Sequence, residues 1–272
     1  MNATASHHQS QSAQTNEVSA GKLPGHWLLA KMGKRVLRPG GLLLTHQLLT
    51  ALDIQSTDEV IEFAPGLGVT ARLVLAHSPA NYTAVERDAA AAATVRSFLP
   101  PRHQCVLGSA EETELPTASA SVVFGEAMLS MQPAATKSRI VNEAVRLLRC
   151  GGRYGIHELC LVPDDVDEQV RIAIQQDLSR EIHVGVRPLT RLEWCELFAA
   201  EGLQIVAEAV APMHLLEPRR LVQDEGILGA MRFVWNVARN SQARQRVLGM
   251  RRIFRKYRDH LAAIAIVGCK LE

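Results

Sequence analysis

The 272-residue chain has few cysteines, few aromatic residues and no long apolar run, and each scarcity argues against a class of protein. Its five cysteines are an odd number at wide, irregular spacing, which predicts neither a disulfide framework nor a bound metal. Aromatic residues make up 4% of the chain, too few for a stacking platform that would bind nucleic-acid bases. The longest apolar run, residues 261–267, falls far short of the roughly 20 residues that cross a bilayer. We therefore expect no membrane-spanning helix.

Net charge of one sign is also almost absent, because 30 Lys and Arg residues face 28 Asp and Glu residues. The sum hides an uneven distribution. Residues 219–258 hold 11 basic and two acidic residues, a net charge of +9, which leaves −7 for the rest of the chain. We expect no nucleic-acid partner for the chain as a whole. For the basic segment, a solvated helix face, an anionic substrate, a membrane surface and RNA stay open.

The N-terminal residues 1–22 are rich in Ser, Gln, His, Thr and Asn. Such a composition cannot bury apolar surface, so we expect a disordered tail. The tail has neither a basic n-region nor an apolar h-region and does not match a secretory signal. Together with cysteines that are expected to stay reduced, this predicts a cytoplasmic protein.

The middle of the chain alternates short apolar strands with helical patterns, which is typical of a parallel α/β sheet. The strands are expected at residues 59–64, 82–86, 105–107, 121–124, 153–161, 204–210 and 263–269. The pattern predicts a mostly parallel seven-stranded sheet with helices on both of its faces. Such a sheet binds its ligand beyond the carboxyl ends of the strands, where the strand order reverses.

Helical segments interrupt this core and divide the chain into predicted units. Residues 54–212 form the α/β core, and residues 261–272 supply its final strand. The added helices are expected at residues 23–53, 163–188 and 213–260, and the third segment is the basic one. We expect these insertions to form a lid over the bound substrate.

The strongest motif is EFAPGLG at residues 62–68, at a predicted junction between a strand and a helix. Glycines there let backbone amides approach a ligand, and the following helix offers free N–H groups. Gly66, Gly68 and Ala71 also satisfy the dinucleotide fingerprint, with Glu86 as the ribose-binding acid 20 residues after Gly66. An NAD(P)-dependent oxidoreductase is therefore an alternative.

Further features favour a ligand that carries a positively charged group rather than a pyrophosphate. Glu62 would repel a pyrophosphate but suits an ammonium group. The loop after the third strand holds Gly108-Ser109-Ala110-Glu111 followed by Leu115-Pro116, and residues 146–152 read RLLRCGG. Taken with the first motif, these segments resemble the class I S-adenosylmethionine-dependent methyltransferases over about residues 58–212 plus the final strand. The resemblance implies a Rossmann-like methyltransferase fold, S-adenosylmethionine as cofactor, S-adenosylhomocysteine as product and no metal.

The resemblance also implies which residues contact the cofactor. Ala64 replaces the first glycine of the family's motif, and Ser109 stands where the family commonly has Asp. The implied cofactor-binding residues are Glu62, Ala64, Pro65, Gly66, Gly68, Glu86, Arg87, Ser109, Ala110, Glu111 and Glu126.

The acceptor is harder to predict, because an activated methyl group needs a base only if the acceptor keeps its proton. The segment GEAMLS at residues 125–130 lacks the Asn/Asp-Pro-Pro-Tyr/Phe signature of enzymes that methylate amide or base nitrogens. The extra helices fit a small-molecule acceptor, with a thiol, a sulfide or a hydroxyl as the attacking group. His157 and Glu158, at the end of the fifth strand, and His46 are the candidate catalytic residues. A methyltransferase that binds nucleic acid through residues 219–258 stays an alternative, and homo-oligomerisation stays open.

Overall fold

A computed structural model of the protein describes residues 22–271. Except for Lys22, the predicted disordered tail lies outside the described residues. The strands are β1 (Glu59–Phe63), β2 (Asn81–Glu86), β3 (Gln104–Leu107), β4 (Ala120–Glu126), β5 (Leu148–Leu161), β6 (Leu189–Thr190), β7 (Leu203–Pro212) and β8 (Leu261–Lys270). The helices are α1 (Gly25–Lys31), α2 (Gly41–Leu52), α3 (Val69–Ala76), α4 (Ala89–Arg96), α5 (Ala134–Leu147), α6 (Glu168–Ile182), α7 (Arg191–Ala200), α8 (Pro218–Arg239) and α9 (Ser241–Lys256).

The strands form one mixed sheet in the order β3-β2-β1-β4-β5-β8-β7, with β6 paired to β5. Strands β1 to β5 are parallel, whereas β8 runs antiparallel between β5 and β7. Because the strand order reverses between β1 and β4, the loops that follow these two strands diverge and leave a crevice at their carboxyl ends. The seven-stranded path matches the prediction, and the two-residue β6 adds an eighth strand.

Helices cover both faces of the sheet, as predicted. On one face α2, α3 and α4 bury residues such as Leu48, Val74 and Val95 against the sheet. On the other face α5 and α7 bury Ile140, Val141, Ala144, Trp194 and Phe198. Helix α7 begins with a capping box, in which Thr190 and Glu193 satisfy each other's backbone N–H groups.

A third apolar cluster lies beyond the carboxyl ends of the strands and is built by α1, α6, α8 and α9. We call these four helices the lid helices. They come from the three segments that the sequence predicts to be insertions.

Two predicted helices differ from the observed ones. In the segment predicted to be helical at residues 23–53, the first helix ends at Lys31. Gly33 takes a left-handed conformation there, and the N–H groups of Arg35 and Val36 donate to Glu225 rather than within a helix. The segment predicted to be helical at residues 213–260 forms two helices that are divided at Asn240, which caps α9 by accepting from the N–H of Ala243.

Candidate active site

A cavity of about 600 Å³ lies at the carboxyl ends of β1, β2, β4 and β5. Its lining comes from the loops that follow these strands and from the predicted insertions. Residues from α1, from the segment at residues 35–39 and from α9 face the core loops across it. The cavity is therefore enclosed between the sheet and the lid helices.

The glycine-rich turn after β1 forms one wall of the cavity, and its backbone is left-handed at Ala64, Gly66 and Gly68. A Cβ atom on Gly66 would meet nothing within 4 Å, whereas one on Gly68 would lie 2.5 Å from the Phe98 ring. Gly68 is thus required by close packing. Gly66 instead leaves open space at the wall of the cavity, where a ligand can approach the backbone.

Glu86 ends β2 and is buried beside this turn. Its carboxylate accepts hydrogen bonds from the N–H of Gly66, at 3.1 Å, and the N–H of Asp88, at 2.9 Å. The next residue, Arg87, is exposed and also lines the cavity. The structure therefore brings the predicted ribose acid to the glycine turn, as the motif spacing implies.

The loop after β3 supplies the predicted Ser109, Ala110 and Glu111, all of which line the cavity. The Ser109 hydroxyl accepts from the N–H of Glu111, and the Glu111 carboxylate is held by Arg139, with the Nη2 to Oε2 distance at 2.5 Å. Because Glu111 is already paired, Ser109 is the freer of the two to contact a ligand.

Glu62 is buried at the cavity wall and accepts a hydrogen bond from the Tyr82 hydroxyl, at 2.5 Å. Burial raises the pKa of Glu62 to about 8, and the nearby charge of Glu126 adds to the effect, while the Tyr82 hydrogen bond and Arg38 oppose it. Glu62 thus carries a proton at neutral pH, and an approaching cation would favour its ionised form.

Glu126, at the end of β4, is the centre of a buried hydrogen-bond network. Its Oε1 atom accepts from the Thr45 hydroxyl, at 2.6 Å, and lies 3.2 Å from Nε of Arg38 and 2.9 Å from Nδ1 of His157. The Thr70 hydroxyl donates to its Oε2 atom. Burial by itself would raise the pKa of Glu126, but Arg38 and His157 outweigh it and lower that pKa to about 2. Glu126 is therefore an ionised carboxylate at the cavity.

The candidate catalytic residues do not meet at the cavity. His157 is fully buried, and its Nε2 atom lies 2.5 Å from the carbonyl oxygen of Pro39. Glu158 reaches the cavity wall on the other face of β5, where its carboxylate accepts from the N–H groups of Met128, Leu129 and Ser130. His46 lies on the exposed face of α2.

Sequence reasoning missed Arg38, Thr45 and Thr70, the partners that surround Glu126. Arg38 is nearly buried, lines the cavity and, among the described residues, has no hydrogen-bond partner for its Nη2 atom. A buried arginine in a loop before α2 carries no sequence motif, since its partners Thr45 and Glu126 are 7 and 88 residues away. Within residues 22–271, no cluster of three or more His, Cys, Asp or Glu side chains is arranged to hold a metal ion.

Comparisons with known proteins agree with this geometry. Residues 61–156 match the family described as a methyltransferase domain. An uncharacterized protein from Haemophilus influenzae is 28% identical over 240 residues, which are 86% of this chain and 92% of that protein.

Two solved structures share the fold. The MccD protein has a TM-score of 0.67 at 16% identity, over 86% of this chain and 99% of its own. A Haemonchus contortus phosphoethanolamine N-methyltransferase 2, solved with phosphomonomethylethanolamine and S-adenosylhomocysteine, has a TM-score of 0.65 at 14% identity, over 87% of this chain and 54% of its own. These likenesses confirm the predicted fold class.

Proposed function

We propose that this protein methylates a small-molecule acceptor with S-adenosylmethionine, because residues 61–156 match a methyltransferase domain and the chain has a class I methyltransferase fold. The observation that carries the proposal is that one cavity connects two regions. The glycine turn lies at one end of it with Glu62, Glu86 and Glu126, and apolar side chains from the lid helices line the other end, which we call the apolar chamber.

The charged groups at the glycine-turn end suit the amino-acid part of this cofactor. The partnerless Nη2 atom of Arg38 is placed to donate to a carboxylate. Glu62 and Glu126, on the adjoining strands β1 and β4, would neutralise an ammonium group and a sulfonium centre. Glu86 would accept from ribose hydroxyls, and the open face of Gly66 would allow close approach.

When bound, S-adenosylmethionine supplies a methyl group on a positively charged sulfur, ready for in-line displacement. The protein's own contribution is to align the two reactants and exclude water. Glu126 is held rigidly for this task by Arg38, Thr45 and Thr70. We assign His157 as a positioning residue, since it contacts Glu126 from behind the cavity.

The acceptor end of the cavity is apolar, which favours an acceptor with an apolar body. Its lining comes mainly from the lid helices and the segments next to them: Trp27, Leu29, Ile182, Val184, Val186, Met213, Leu215, Met250 and Phe254. An unpaired polar acceptor would lose its hydration there without compensation. Apolar thiols fit best, because about a few per cent of a thiol is ionised at neutral pH and this thiolate needs no dedicated base. Apolar phenols come second, because their ionised fraction at neutral pH is smaller.

The cofactor half of the proposal is tested by isothermal titration with S-adenosylhomocysteine and with NADH. We expect the first to bind and the second to give no response. Arg38→Met should weaken S-adenosylhomocysteine binding by about tenfold or more, because a charge-assisted hydrogen bond is lost. The matched control is Arg153→Met, whose side chain pairs with Asp58 away from the cavity. Binding of NADH alone would overturn the proposal in favour of an oxidoreductase.

The acceptor half is tested by transfer of a labelled methyl group to matched pairs of apolar and hydrophilic thiols and phenols. We expect turnover with the apolar members. Leu215→Trp, which fills the chamber, should abolish turnover while S-adenosylhomocysteine still binds, which also shows that the variant is folded. Turnover with only the hydrophilic members would overturn the apolar assignment and leave the methyltransferase assignment intact.

A further inference from the structure

The second half of α8, residues 227–239, exposes a continuous apolar face to solvent. Its residues recur at the i, i+1, i+4, i+7 and i+8 spacing of one helix face: Ile227, Leu228, Met231, Val234 and Trp235. Their exposed fractions run from 57% for Val234 to 82% for Leu228. We call these five residues the α8 face. Large apolar side chains grouped in this way mark an interaction surface rather than scattered surface residues.

The five residues of the α8 face do not belong to the hydrophobic core. The opposite side of the same helix buries Ala230, Phe233 and Val237 in the cluster shared by the lid helices. The helix is kinked at Gly226, which has φ +72°. The turn before the kink is anchored by Asp224 and Glu225, so the remaining three turns are held with their outer side toward solvent.

The charge around the α8 face is strongly positive. Arg232 and Arg239 are exposed beside it, and the guanidinium of Arg239 lies 5.4 Å from the centre of the Trp235 ring. The segment 219–258 that contains it has 11 basic and two acidic residues. An apolar helix face with tryptophan and flanking arginines is the pattern of a helix that lies in the headgroup region of a membrane.

Other occupants fit the α8 face less well. The N-terminal residues 1–21 contain only Met1 and Val18 as large apolar residues, too few to cover it. A second copy of the chain would bring two sets of arginines together across a two-fold axis, which like-charge repulsion opposes. Binding to RNA would use the arginines but leave the aliphatic side chains in water.

We propose that the α8 face docks onto an anionic lipid surface. The apolar side chains enter the headgroup region, and Arg232 and Arg239 contact lipid phosphates at its rim. The inner side of α8 packs in the cluster that also holds Met213, Leu215 and Phe254, which line the apolar chamber. Docking therefore brings to the lipid surface the same helical cluster that encloses the apolar chamber. The proposal does not rest on methyl transfer, since docking is measured without cofactor or acceptor.

The test is binding of the full-length protein to vesicles of phosphatidylglycerol with phosphatidylcholine, compared with phosphatidylcholine alone. We expect sedimentation with the anionic vesicles and a blue shift of tryptophan fluorescence. The shift should be absent in Trp235→Phe, because Trp194 is buried and Trp27 lies at the cavity rather than on the α8 face. Raising the salt concentration should weaken the initial binding, since the arginines act electrostatically.

Matched variants separate the apolar and the charged contributions. Leu228→Gln/Met231→Gln should lower the vesicle partition coefficient by about tenfold or more. Its control is Leu192→Gln/Val206→Gln, which changes two other exposed apolar residues that lie on other elements. Arg232→Gln/Arg239→Gln should lower the partition coefficient by about tenfold, and Arg102→Gln/Arg149→Gln, which removes the same charge elsewhere, should have little effect.

Three results would overturn the proposal. The first is equal sedimentation of the wild type and the Leu228→Gln/Met231→Gln variant. The second is a concentration-dependent dimer that this variant dissociates, which would assign the face to a second copy. The third is salt-sensitive retention on RNA without any binding to vesicles.

Discussion

Ala64 shows how one side chain can be a poor fit to its backbone conformation. Its φ of +52° is left-handed, a conformation that disfavours residues with a Cβ atom. We expect Ala64→Gly to raise the free energy of unfolding by about 1 kcal/mol, because relief of this strain exceeds the greater flexibility of an unfolded glycine. Chemical denaturation measures the change.

The control for this prediction is Ala93→Gly, at an exposed position inside α4. There glycine should lower the free energy of unfolding by about 1 kcal/mol, because the helix loses an alanine. A similar loss in Ala64→Gly would show that the strain at residue 64 is negligible.

Glu62 makes the stability of the protein depend on pH. Its pKa of about 8 exceeds the usual carboxyl value, so the folded protein holds this proton longer than the unfolded chain. The stabilising contribution is therefore present at acid pH and is lost as the pH rises through about 8. We expect Glu62→Gln to gain roughly 3 kcal/mol of stability relative to wild type between about pH 5 and about pH 8.

Denaturation curves at several pH values test this expectation. Val60→Ala, on the same strand, removes buried apolar volume and should lower the stability equally at every pH. A constant difference between Glu62→Gln and wild type across the pH range would contradict a raised pKa at Glu62.

At the scale of elements, a buried ionic cluster attaches α8 to the segment before α2. Lys34 is fully buried, and its Nζ atom lies 3.6 Å from both Asp224 and Glu225. Glu225 also accepts from the N–H groups of Arg35 and Val36. The cluster therefore holds in place the segment that carries Arg38 into the cavity.

Removal of Lys34 should leave Asp224 buried without its cation, while Glu225 keeps the Arg35 guanidinium, 3.2 Å away, as its only cationic partner among the described residues. We expect Lys34→Met to destabilise the protein by about 3 kcal/mol and to weaken S-adenosylhomocysteine binding through the loosened Arg38 segment. Lys34→Met/Asp224→Asn should recover part of the stability, because Asn keeps an acceptor for the N–H of Leu42. The control is Arg191→Met, which breaks exposed ion pairs and should cost less than about 1 kcal/mol. Equal effects of Lys34→Met and Arg191→Met would contradict the anchoring role.

At the scale of the whole molecule, the cavity joins the core to the lid helices. A ligand that fills it contacts both, so we expect S-adenosylhomocysteine to slow amide hydrogen exchange in residues 64–68 and also in residues 25–39. At 100 times its dissociation constant, it should also stabilise the protein by about 2.7 kcal/mol. Exchange mass spectrometry measures the first effect. Protection confined to residues 64–68 would show that the lid helices do not contact the cofactor.

No helix among residues 22–271 is both long enough and apolar enough to span a membrane. The positive charge of residues 219–258 is spread along α8 and α9. The sequence pattern alone suggests amphipathic helices that pack on the core by their apolar sides. Only the three-dimensional arrangement shows that the solvent-facing side of α8 is itself apolar and is flanked by arginines.

The sequence by itself determined the α/β core, because its strands, helices and glycine turn depend on local patterns of burial, capping and backbone freedom. The order of motifs from Glu62 to Glu111 was enough to predict which residues meet at one wall of the cavity, since each motif follows its own strand. Only the tertiary structure decided what surrounds Glu126 and how α8 is anchored. Arg38, Thr45 and His157 meet there from distant parts of the chain, as do Lys34 and Glu225. Such long-range contacts between polar groups leave no periodic pattern, so their chemistry emerges only when the chain has folded.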